Sequence, residues 1–402
     1  MATAQADTDV KRICIIMCDF AHKDGINRVI ADFAGSFRDR VLLCVARYDP
    51  SVVFKIPEST EVLVFKHWKC SLSPLSLGVW RFFVARMLAK KEGGIILSTH
   101  KATDIIHAAF IKLILFNKNV RISPFIYDKF ELVPADYSSR NFKVRLKIRR
   151  SVVILLIKLG IVSELLTLDL DMQQFVRTVL RTDRVLVVRI GVSQSLLSLN
   201  ELHNLIVREQ IQRLMKGHCF KIFFQGILIP ERNIEDLLAA LFALVGDGKI
   251  STHLFIGGAS SRLASNYVAA IKGMVSELKL DDYVHFLGEL AEEELAFMYR
   301  NCDAFVWPGD DQSWGLAPLE AMLFRTPTII SAGNGVSEVL NEDVAIVVPK
   351  HNPEAIQRAI ETLMYDNAYA EALGKRAQDF VKRRFTFNNT ANELERIWHL
   401  KD

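Results

Sequence analysis

Residues 219–241 read CFKIFFQGILIPERNIEDLLAAL, and this stretch indicates how the chain folds. Its first eight residues form a short, largely apolar run, which is typical of a strand that is covered on both faces. Pro230 ends the strand region, and the residues after it have the apolar spacing of an amphipathic helix. A strand followed by a helix is the repeating unit of parallel α/β sheets. The stretch therefore predicts a parallel sheet with crossover helices.

The same strand-to-helix alternation recurs on both sides of this stretch. Two arrays of similar size predict an α/β protein with two doubly wound Rossmann-like domains that face each other across a cleft. We expect an N-terminal domain at 1–197, a second domain at 198–385 and a last helix at 386–402. The further strand-like runs lie at 11–18, 41–47, 62–65, 94–98, 120–127, 164–168, 184–190, 252–257, 283–288, 303–308, 327–331 and 344–349.

The composition is that of a globular protein, with 402 residues, 50% hydrophobic and 24% charged side chains. A net charge of +4 is too small to indicate nucleic acid as an obligatory partner. The six cysteines form no CxxC pair, which argues against zinc ribbons and favours a reducing compartment. The polar N-terminus lacks the order of a signal peptide, and no apolar run reaches the ~20 residues of a spanning helix. We expect a cytoplasmic protein, either soluble or peripheral at a membrane face.

The strand at 303–308 is followed by GDDQSWGLAPLEAM, where a loop opens onto a helix. In open α/β sheets, ligands bind outside the carboxyl ends of the strands, and the N–H groups at a helix start suit a diphosphate. Further along this helix, Glu320 could accept hydrogen bonds from both hydroxyls of a ribose. An ordinary capped helix with a solvated glutamate is the alternative. The N–H groups expected in the first turn are those of Ser313, Trp314, Gly315 and Leu316.

Other polar residues follow strands in the same way. Arg232 lies in the loop after the first quoted strand, where it could reach the same phosphate or serve only as a surface arginine. Gly25 precedes a helix and would allow a ligand to pass close to the backbone. His100 and Asp128 end two further strands, and a site for an acceptor hydroxyl could use either one. A purely structural role is the alternative for His100.

Two carboxylate pairs, Asp169 with Asp171 and Asp310 with Asp311, have the spacing of unspecific metal-binding motifs. Asp169 precedes a predicted helix, where a capping aspartate is expected. We therefore predict no metal site.

Residues 140–158 read RNFKVRLKIRRSVVILLIK, a basic segment without an acidic residue. Apolar residues lie between and after the charges, a pattern that suits an anionic membrane surface. The alternatives are a solvated basic helix that packs by its apolar side, and RNA binding, for which only Phe142 offers an aromatic ring. The basic residues expected at the membrane are Arg140, Lys143, Arg145, Lys147, Arg149 and Arg150.

The second half of the chain contains, in order, FFQGILIPERNIEDLL, LFIGGAS, VHFLGELAEEELAFMYRNCDAFVWP, QSWGLAPLEAM and RTPTIISAGNGVSEVL. In order and spacing, these stretches resemble the nucleotide-sugar domain of retaining glycosyltransferases of family 4, which have the GT-B fold. In the first half the resemblance is weaker and rests on GINRVIADFA, which is similar to the family's first glycine loop.

The resemblance implies roles for individual residues of this sequence. Glu320 would bind the donor ribose, the helix start at 313–316 would bind the donor phosphates, and Arg232 would contact the same phosphates. The last helix, 386–402, would cross back onto the first domain. The other residues that the resemblance places around the donor are Gly25, Gly226, Phe286 and Leu287.

Three positions depart from the family pattern. Ile227 and Arg232 stand where the phosphate loop has an arginine and a lysine, and Gln312 replaces the first glutamate of a glutamate pair. Glutamine still forms hydrogen bonds to a sugar or phosphate oxygen but brings no charge. A catalytically impaired GT-B scaffold or binding protein is therefore the main alternative, and a nucleotide-sugar epimerase of similar fold is a second one.

We expect a retaining, metal-independent hexosyltransferase that moves a sugar from a UDP- or GDP-sugar to a glycan or lipid-linked acceptor at the cytoplasmic membrane face. It would need no cofactor. Its partners would be the donor, the acceptor and an anionic membrane surface, without nucleic acid. The residues expected to act in catalysis are Arg232, Gln312, Asp128 and His100.

Overall fold

The computed structural model divides the chain into two compact units. Unit 1 comprises Met1–Arg189 and Phe387–Asp402, and unit 2 comprises Ile190–Thr386. The predicted boundary between 197 and 198 lies a few residues beyond this division, and the last helix belongs to unit 1. The structure describes residues 12–20, 25–37, 41–48, 56, 60–64, 81, 84–89, 94–99, 102–116, 119–127, 132, 140–202, 204–246, 251–258, 265–310 and 314–399.

The strands are short and consist mainly of Ile, Val, Leu and Phe, as expected for strands that helices cover on both faces. They are β1 (Arg12–Phe20), β2 (Val41–Tyr48), β3 (Glu61–Val64), β4 (Ile95–Thr99), β5 (Val120–Ile122), β6 (Leu165–Thr167), β7 (Val185–Val187), β8 (Phe220–Gln225), β9 (Thr252–Gly257), β10 (Val284–Gly288), β11 (Ala304–Trp307), β12 (Thr328–Ser331) and β13 (Ile346–Val348).

Helices follow most of these strands. None in the part of the chain that the structure describes is long and apolar enough to cross a bilayer. The helices are α1 (Gly25–Phe37), α2 (Ala102–Leu115), α3 (Arg140–Lys158), α4 (Leu170–Leu180), α5 (Gln194–Glu201), α6 (Glu209–Leu214), α7 (Ile234–Gly246), α8 (Ser265–Glu277), α9 (Glu292–Asn301), α10 (Leu316–Leu323), α11 (Pro353–Tyr365), α12 (Asn367–Arg384) and α13 (Phe387–Trp398).

Unit 1 is built on a five-stranded parallel sheet with the order β3-β2-β1-β4-β5, and β6 and β7 form a further parallel pair. The last helix, α13, packs against α1 through aromatic rings: the centroid of Phe33 lies 5.3 Å from that of Phe387. The indole Nε1 of Trp398 donates a hydrogen bond of 2.8 Å to Oγ of Ser123. The C-terminal residues therefore complete the core of unit 1.

Unit 2 is built on a six-stranded parallel sheet with the order β10-β9-β8-β11-β12-β13. The fold class predicted from the sequence, α/β with two Rossmann-like units, is confirmed. The chain passes from β8 to β9 on one side of the sheet and from β11 to β12 on the other, so the strand order reverses between β8 and β11. In open α/β sheets this reversal marks the crevice in which ligands bind. In unit 1 the equivalent reversal lies between β1 and β4.

Candidate functional site

The carboxyl ends of β8 and β11 lie side by side in unit 2, because the two strands pair in parallel through Ile222 and Ala304. A 3-10 turn after β8 carries Arg232, and the loop after β11 leads into α10, which carries Glu320. The structure therefore places the segments that hold two predicted donor-binding residues at the point where the strand order reverses.

Two glycines allow the loops at this edge to approach each other. Gly258 follows β9 with a φ of 129°, and a Cβ atom there would collide with the carbonyl oxygen of Gly226. Gly309 follows β11, and a Cβ atom there would lie 2.8 Å from the carbonyl oxygen of Glu231. Both contacts involve backbone, which cannot move aside as a flexible side chain can. The predicted phosphate loop at Gly226 is thus packed directly between the ends of its two neighbouring strands.

The guanidinium of Arg232 stacks on an aromatic ring at the same edge. Its Cζ atom lies 4.9 Å from the ring centroid of Trp307, the last residue of β11. The indole Nε1 of Trp307 donates a hydrogen bond of 3.2 Å to Oδ1 of buried Asn334. Asn334 in turn donates from Nδ2 to the carbonyl oxygens of Gly309, at 2.6 Å, and Ser331, at 2.8 Å. Stacking and hydrogen bonds therefore fix the arginine relative to the loops after β11 and β12.

Asp310, a member of one predicted carboxylate pair, is held by neighbouring side chains. Asn233 donates from Nδ2 to Oδ1 of Asp310 at 3.0 Å, and Nε2 of His351 lies 2.9 Å from Oδ2. The imidazole Nδ1 of His351 lies 3.6 Å from Oδ2 of Asp236. Burial raises the pKa of Asp236, and His351 acts against this shift. These contacts join the turn after β8 to the loop after β11, and Asp311 lies outside the described residues.

Glu320 is a buried carboxylate on α10, with a fractional exposure of only 4%. The phenol of Tyr299, on α9, donates a hydrogen bond of 3.0 Å to its Oε2 atom. Tyr299 is itself completely buried, and its backbone carbonyl accepts a hydrogen bond from the hydroxyl of Thr326. The predicted alternative of a solvated glutamate on this helix is therefore wrong.

The start of α10 differs from the sequence-based expectation. The helix begins at Leu316, with Gly315 as its N-terminal cap at a φ of 69°, so Trp314 precedes the cap. The N–H groups of its first turn belong to Gly315, Leu316 and Ala317, and Pro318 carries none. Two features explain the later start. Gly315 caps the helix in a left-handed conformation, and Nε1 of Trp314 donates a hydrogen bond of 2.6 Å to the carbonyl oxygen of Ile190. Gln312 and Ser313 lie outside the described residues.

Phe286 and Leu287, which the resemblance places beside the base, lie near the carboxyl end of β10. The strand pairing shifts there between Phe286 and Gly288, and Gly288 has a φ of 69°. The carbonyl oxygen of Gly288 accepts a hydrogen bond of 2.8 Å from the N–H of Gly258. Leu287 is buried, and the ammonium of Lys272 lies 5.3 Å from the ring centroid of Phe286. The backbone of this strand end is thus connected to the loop that packs on Gly226.

Predicted site residues in unit 1 are only partly described. Gly25 is the first residue of α1, next to the reversal between β1 and β4, whereas His100 and Asp128 lie outside the described residues. Asp169 accepts a hydrogen bond of 2.7 Å from the N–H of Met172 and caps α4, the structural role that its position predicted. Among described side chains, no cluster of three or more His, Cys, Asp or Glu residues could hold a metal ion.

The six predicted membrane residues all lie on α3 of unit 1. Lys147 is exposed, and Lys143, Arg149 and Arg150 are half-buried. Arg140 and Arg145 lie on the same helix, and their side chains are outside the described part of the structure.

Sequence reasoning missed Tyr299, Trp307 and Asn334. Trp307 lies near the end of a predicted strand. An aromatic residue there is as typical of core packing as of a binding site, so it did not indicate a site. Tyr299 and Asn334 gave no signal, because Glu320 lies 21 residues from Tyr299, and Trp307 and Gly309 lie 27 and 25 residues from Asn334.

Comparison with known proteins identifies the domain that carries this site. Residues 208–380 match the family model described as Glycosyl transferases group 1. Unit 2 contains a glycosyl transferases group 1 domain. The chain is 30% identical over 144 residues to the lipopolysaccharide core biosynthesis mannosyltransferase LpcC of Rhizobium leguminosarum bv. viciae, which is 35% of this chain and 40% of that one. It is 25% identical over 180 residues, 44% of each chain, to an uncharacterized glycosyltransferase of Methanocaldococcus jannaschii. The alignments thus span less than half the length of either relative.

A solved structure extends the likeness beyond the group 1 domain. The crystal structure of HepE from Anabaena in complex with UDP is similar over 96% of this chain and 99% of that one, with a TM-score of 0.74 and 16% sequence identity. The predicted GT-B fold is thereby confirmed. At this identity the likeness concerns the fold alone, and membership of family 4 stays a prediction.

Proposed function

We propose that the chain is a retaining glycosyltransferase that takes a sugar from a UDP- or GDP-sugar bound by the group 1 domain. The proposal rests on the placement of Arg232 and Glu320 on segments that leave neighbouring strands at the reversal of strand order. A cation and N–H donors bind a diphosphate, and a carboxylate accepts hydrogen bonds from the hydroxyls of a ribose. The name of the Rhizobium relative, a mannosyltransferase, and the UDP in the Anabaena complex support this assignment.

The chemistry at this site would be electrostatic. As the bond between the anomeric carbon and the donor phosphate breaks, negative charge grows on the diphosphate. Arg232 and the N–H groups of Gly315, Leu316 and Ala317 would stabilise that charge without a metal ion. The acceptor oxygen then bonds to the anomeric carbon on the same face, and its proton passes to the departing phosphate oxygen. Gln312, His100 and Asp128 remain the proposed contacts of the transferred sugar and the acceptor hydroxyl.

We propose a glycan or lipid-linked acceptor at the cytoplasmic face of a membrane. The basic helix α3 of unit 1 supports a membrane location, and the name of the Rhizobium relative refers to lipopolysaccharide core biosynthesis. No cofactor is required, because the donor sugar already carries an activated leaving group.

A binding protein with the GT-B fold is the second candidate. It is favoured by Ile227, which is 45% exposed beside Gly226, where the family resemblance implies an arginine. One cation in place of two would weaken the stabilisation of a departing diphosphate.

Transfer assays distinguish the two candidates. The purified chain is incubated with UDP-, GDP- and ADP-sugars and with glycan and lipid-linked acceptors, and NMR determines the anomeric configuration of any product. We expect transfer from a UDP- or GDP-sugar with retention. An inverted product would exclude the retaining mechanism. If a donor raised the melting temperature of the chain but was neither transferred nor hydrolysed, the binding protein would be favoured.

A further inference from the structure

The outward face of α3 is apolar. Leu146, Val153 and Ile157 are buried against unit 1. On the same helix, a second set of aliphatic side chains points to solvent, and we call this set the outer stripe. Its members and their exposed fractions are Val144 at 50%, Ile148 at 61%, Leu155 at 54% and Leu159, just past the helix end, at 64%.

The spacing of the outer stripe makes it a continuous surface. At about 100° per residue, its four positions fall within about 60° of one another, opposite the buried face. A helix that only packs on its domain carries polar side chains on that outer face. The predicted alternative of a solvated basic helix therefore leaves the outer stripe unexplained.

Cationic side chains border the outer stripe. Lys147 and Lys158 are both exposed and lie along one edge of the outer stripe, at about 100° per residue. Arg149 is half-buried and acts on His107 of α2. Burial, then Arg81 and then Arg149 lower the pKa of His107 to about 4, so its imidazole adds no charge at neutral pH. The helix contains seven basic residues and no acidic one.

The end of α2 carries two further exposed apolar side chains. The ammonium of Lys112 donates a hydrogen bond of 3.0 Å to the carbonyl oxygen of Ile161, so the end of α2 lies beside the segment that follows α3. At this end of α2, Leu113 is 51% exposed and Phe116 is 92% exposed.

We propose that the outer stripe, with Leu113 and Phe116, docks on an anionic lipid bilayer, where its side chains enter the boundary between headgroups and acyl chains. Aliphatic side chains bordered by cations are complementary to that boundary. A nucleic acid would meet aliphatic rather than cationic groups at the centre of the surface. A second copy of the chain would bring two cationic borders together. The helix lies on the bilayer and does not span it.

This docking surface would bring the chain to the membrane that carries the proposed acceptor. The identity of that acceptor rests on the proposed function, whereas binding to the membrane does not. Vesicle binding and sugar transfer are therefore separate readouts. A chain that binds vesicles and transfers no sugar overturns the proposed function and leaves the docking surface standing. A chain that transfers sugar but does not bind vesicles supports the proposed function and overturns the docking surface.

The test is flotation of the intact chain with vesicles of phosphatidylcholine alone and of phosphatidylcholine with phosphatidylglycerol. The variant Ile148→Gln/Leu155→Gln removes the centre of the outer stripe and keeps every charge. Phe242→Gln is the matched control, because Phe242 is 50% exposed on α7 of unit 2. Circular dichroism melting shows that each variant folds, and sedimentation velocity reports self-association.

We expect the wild type to bind the anionic vesicles and to release them at high salt. The stripe variant should lose at least about tenfold in vesicle affinity, because buried aliphatic groups contribute strongly to interfacial binding. The control should bind like the wild type. Equal binding by the folded stripe variant and the wild type would overturn the proposal, as would absent wild-type binding. A dimer that the stripe variant abolishes would also overturn it, in favour of a second copy.

Discussion

The phenol of Tyr299 donates a hydrogen bond of 3.0 Å to Oε2 of Glu320, and both side chains are buried. The donor lies on α9 and the acceptor on α10, so the contact fixes the carboxylate relative to a different helix. A carboxylate held in one orientation loses little rotational freedom when it binds the hydroxyls of a ribose. Tyr299 therefore acts as a positioning residue for Glu320 in the proposed donor site.

Replacing Tyr299 by Phe should weaken donor binding without disturbing the packing. The ring of Tyr299 lies 5.4 Å from Phe223 and 5.6 Å from Phe305, centroid to centroid, and phenylalanine keeps both contacts. One lost hydrogen bond to a carboxylate is worth about 1.5 kcal/mol, which corresponds to about a tenfold weaker affinity. Calorimetric titration with the preferred nucleotide measures the change. Unchanged affinity in a folded Tyr299→Phe protein would remove the positioning role.

Removing the side chain of Asn334 should destabilise unit 2. Its amide joins Trp307, Gly309 and Ser331 in a fully buried position, so Asn334→Ala leaves several polar groups without their partner. The expected loss is about 2–3 kcal/mol in the free energy of unfolding, and donor affinity should fall with it because Arg232 stacks on Trp307. Urea unfolding measures the first effect. As a control, Asn301→Ala removes one exposed amide and should change stability by less than about 0.5 kcal/mol.

The strands and helices followed from the sequence because their signals are local. The apolar run at 219–226 became β8 at Phe220–Gln225, and the basic segment at 140–158 became α3 with the same bounds. Local patterns could not fix the start of α10, because that start depends on a left-handed glycine and on an indole that bonds to Ile190, far away in the chain. Gly315, predicted inside the first turn, became the cap.

Contacts between helices could not be predicted from the sequence either. The hydrogen bond from Tyr299 to Glu320 depends on how α9 and α10 pack, which neither helix encodes alone. In α3 the apolar residues are spread around the helix, so the sequence did not reveal which set would be buried. The structure buries Leu146, Val153 and Ile157 and exposes the outer stripe, which local spacing left undetermined.

Acidification should destabilise unit 2 through two neighbouring histidines. Nδ1 of His253, on β9, and Nε2 of His285, on β10, are 2.9 Å apart, so at least one ring must be neutral. Burial and then Lys221 lower the pKa of His253, and burial and then His253 lower that of His285. Because the unfolded chain binds protons below about pH 6.5 and the folded pair resists them, stability is full above that pH and falls as the pH drops. Melting temperatures between pH 7.5 and 5 should show this loss, and His285→Gln should reduce its slope. An equal slope in the variant would assign the loss to other groups.

Chelation should leave sugar transfer unchanged. In the proposed mechanism, Arg232 and the N–H groups of the first turn of α10 stabilise the charge that a metal ion would otherwise stabilise. Asp169 caps α4, so Asp169→Ala should lower the free energy of unfolding by about 1 kcal/mol and leave the rate of transfer intact. Rates with and without EDTA, for both proteins, measure this. If transfer required Mg²⁺ or Mn²⁺ and was lost when Asp169 or Asp310 was replaced, the proposed mechanism would be contradicted.

The affinity of Glu320→Ala for nucleotide sugars tests the donor site most directly. The substitution removes a charged hydrogen-bond partner worth about 1.5–3 kcal/mol, and alanine favours the helix that surrounds it. Arg358→Ala, on the exposed face of α11, is the control. In calorimetric titrations with UDP- and GDP-sugars, we predict at least a tenfold loss of affinity for Glu320→Ala and wild-type affinity for the control. If the folded Glu320→Ala protein bound the preferred donor as tightly as the wild type, the donor site would not lie at this edge of unit 2.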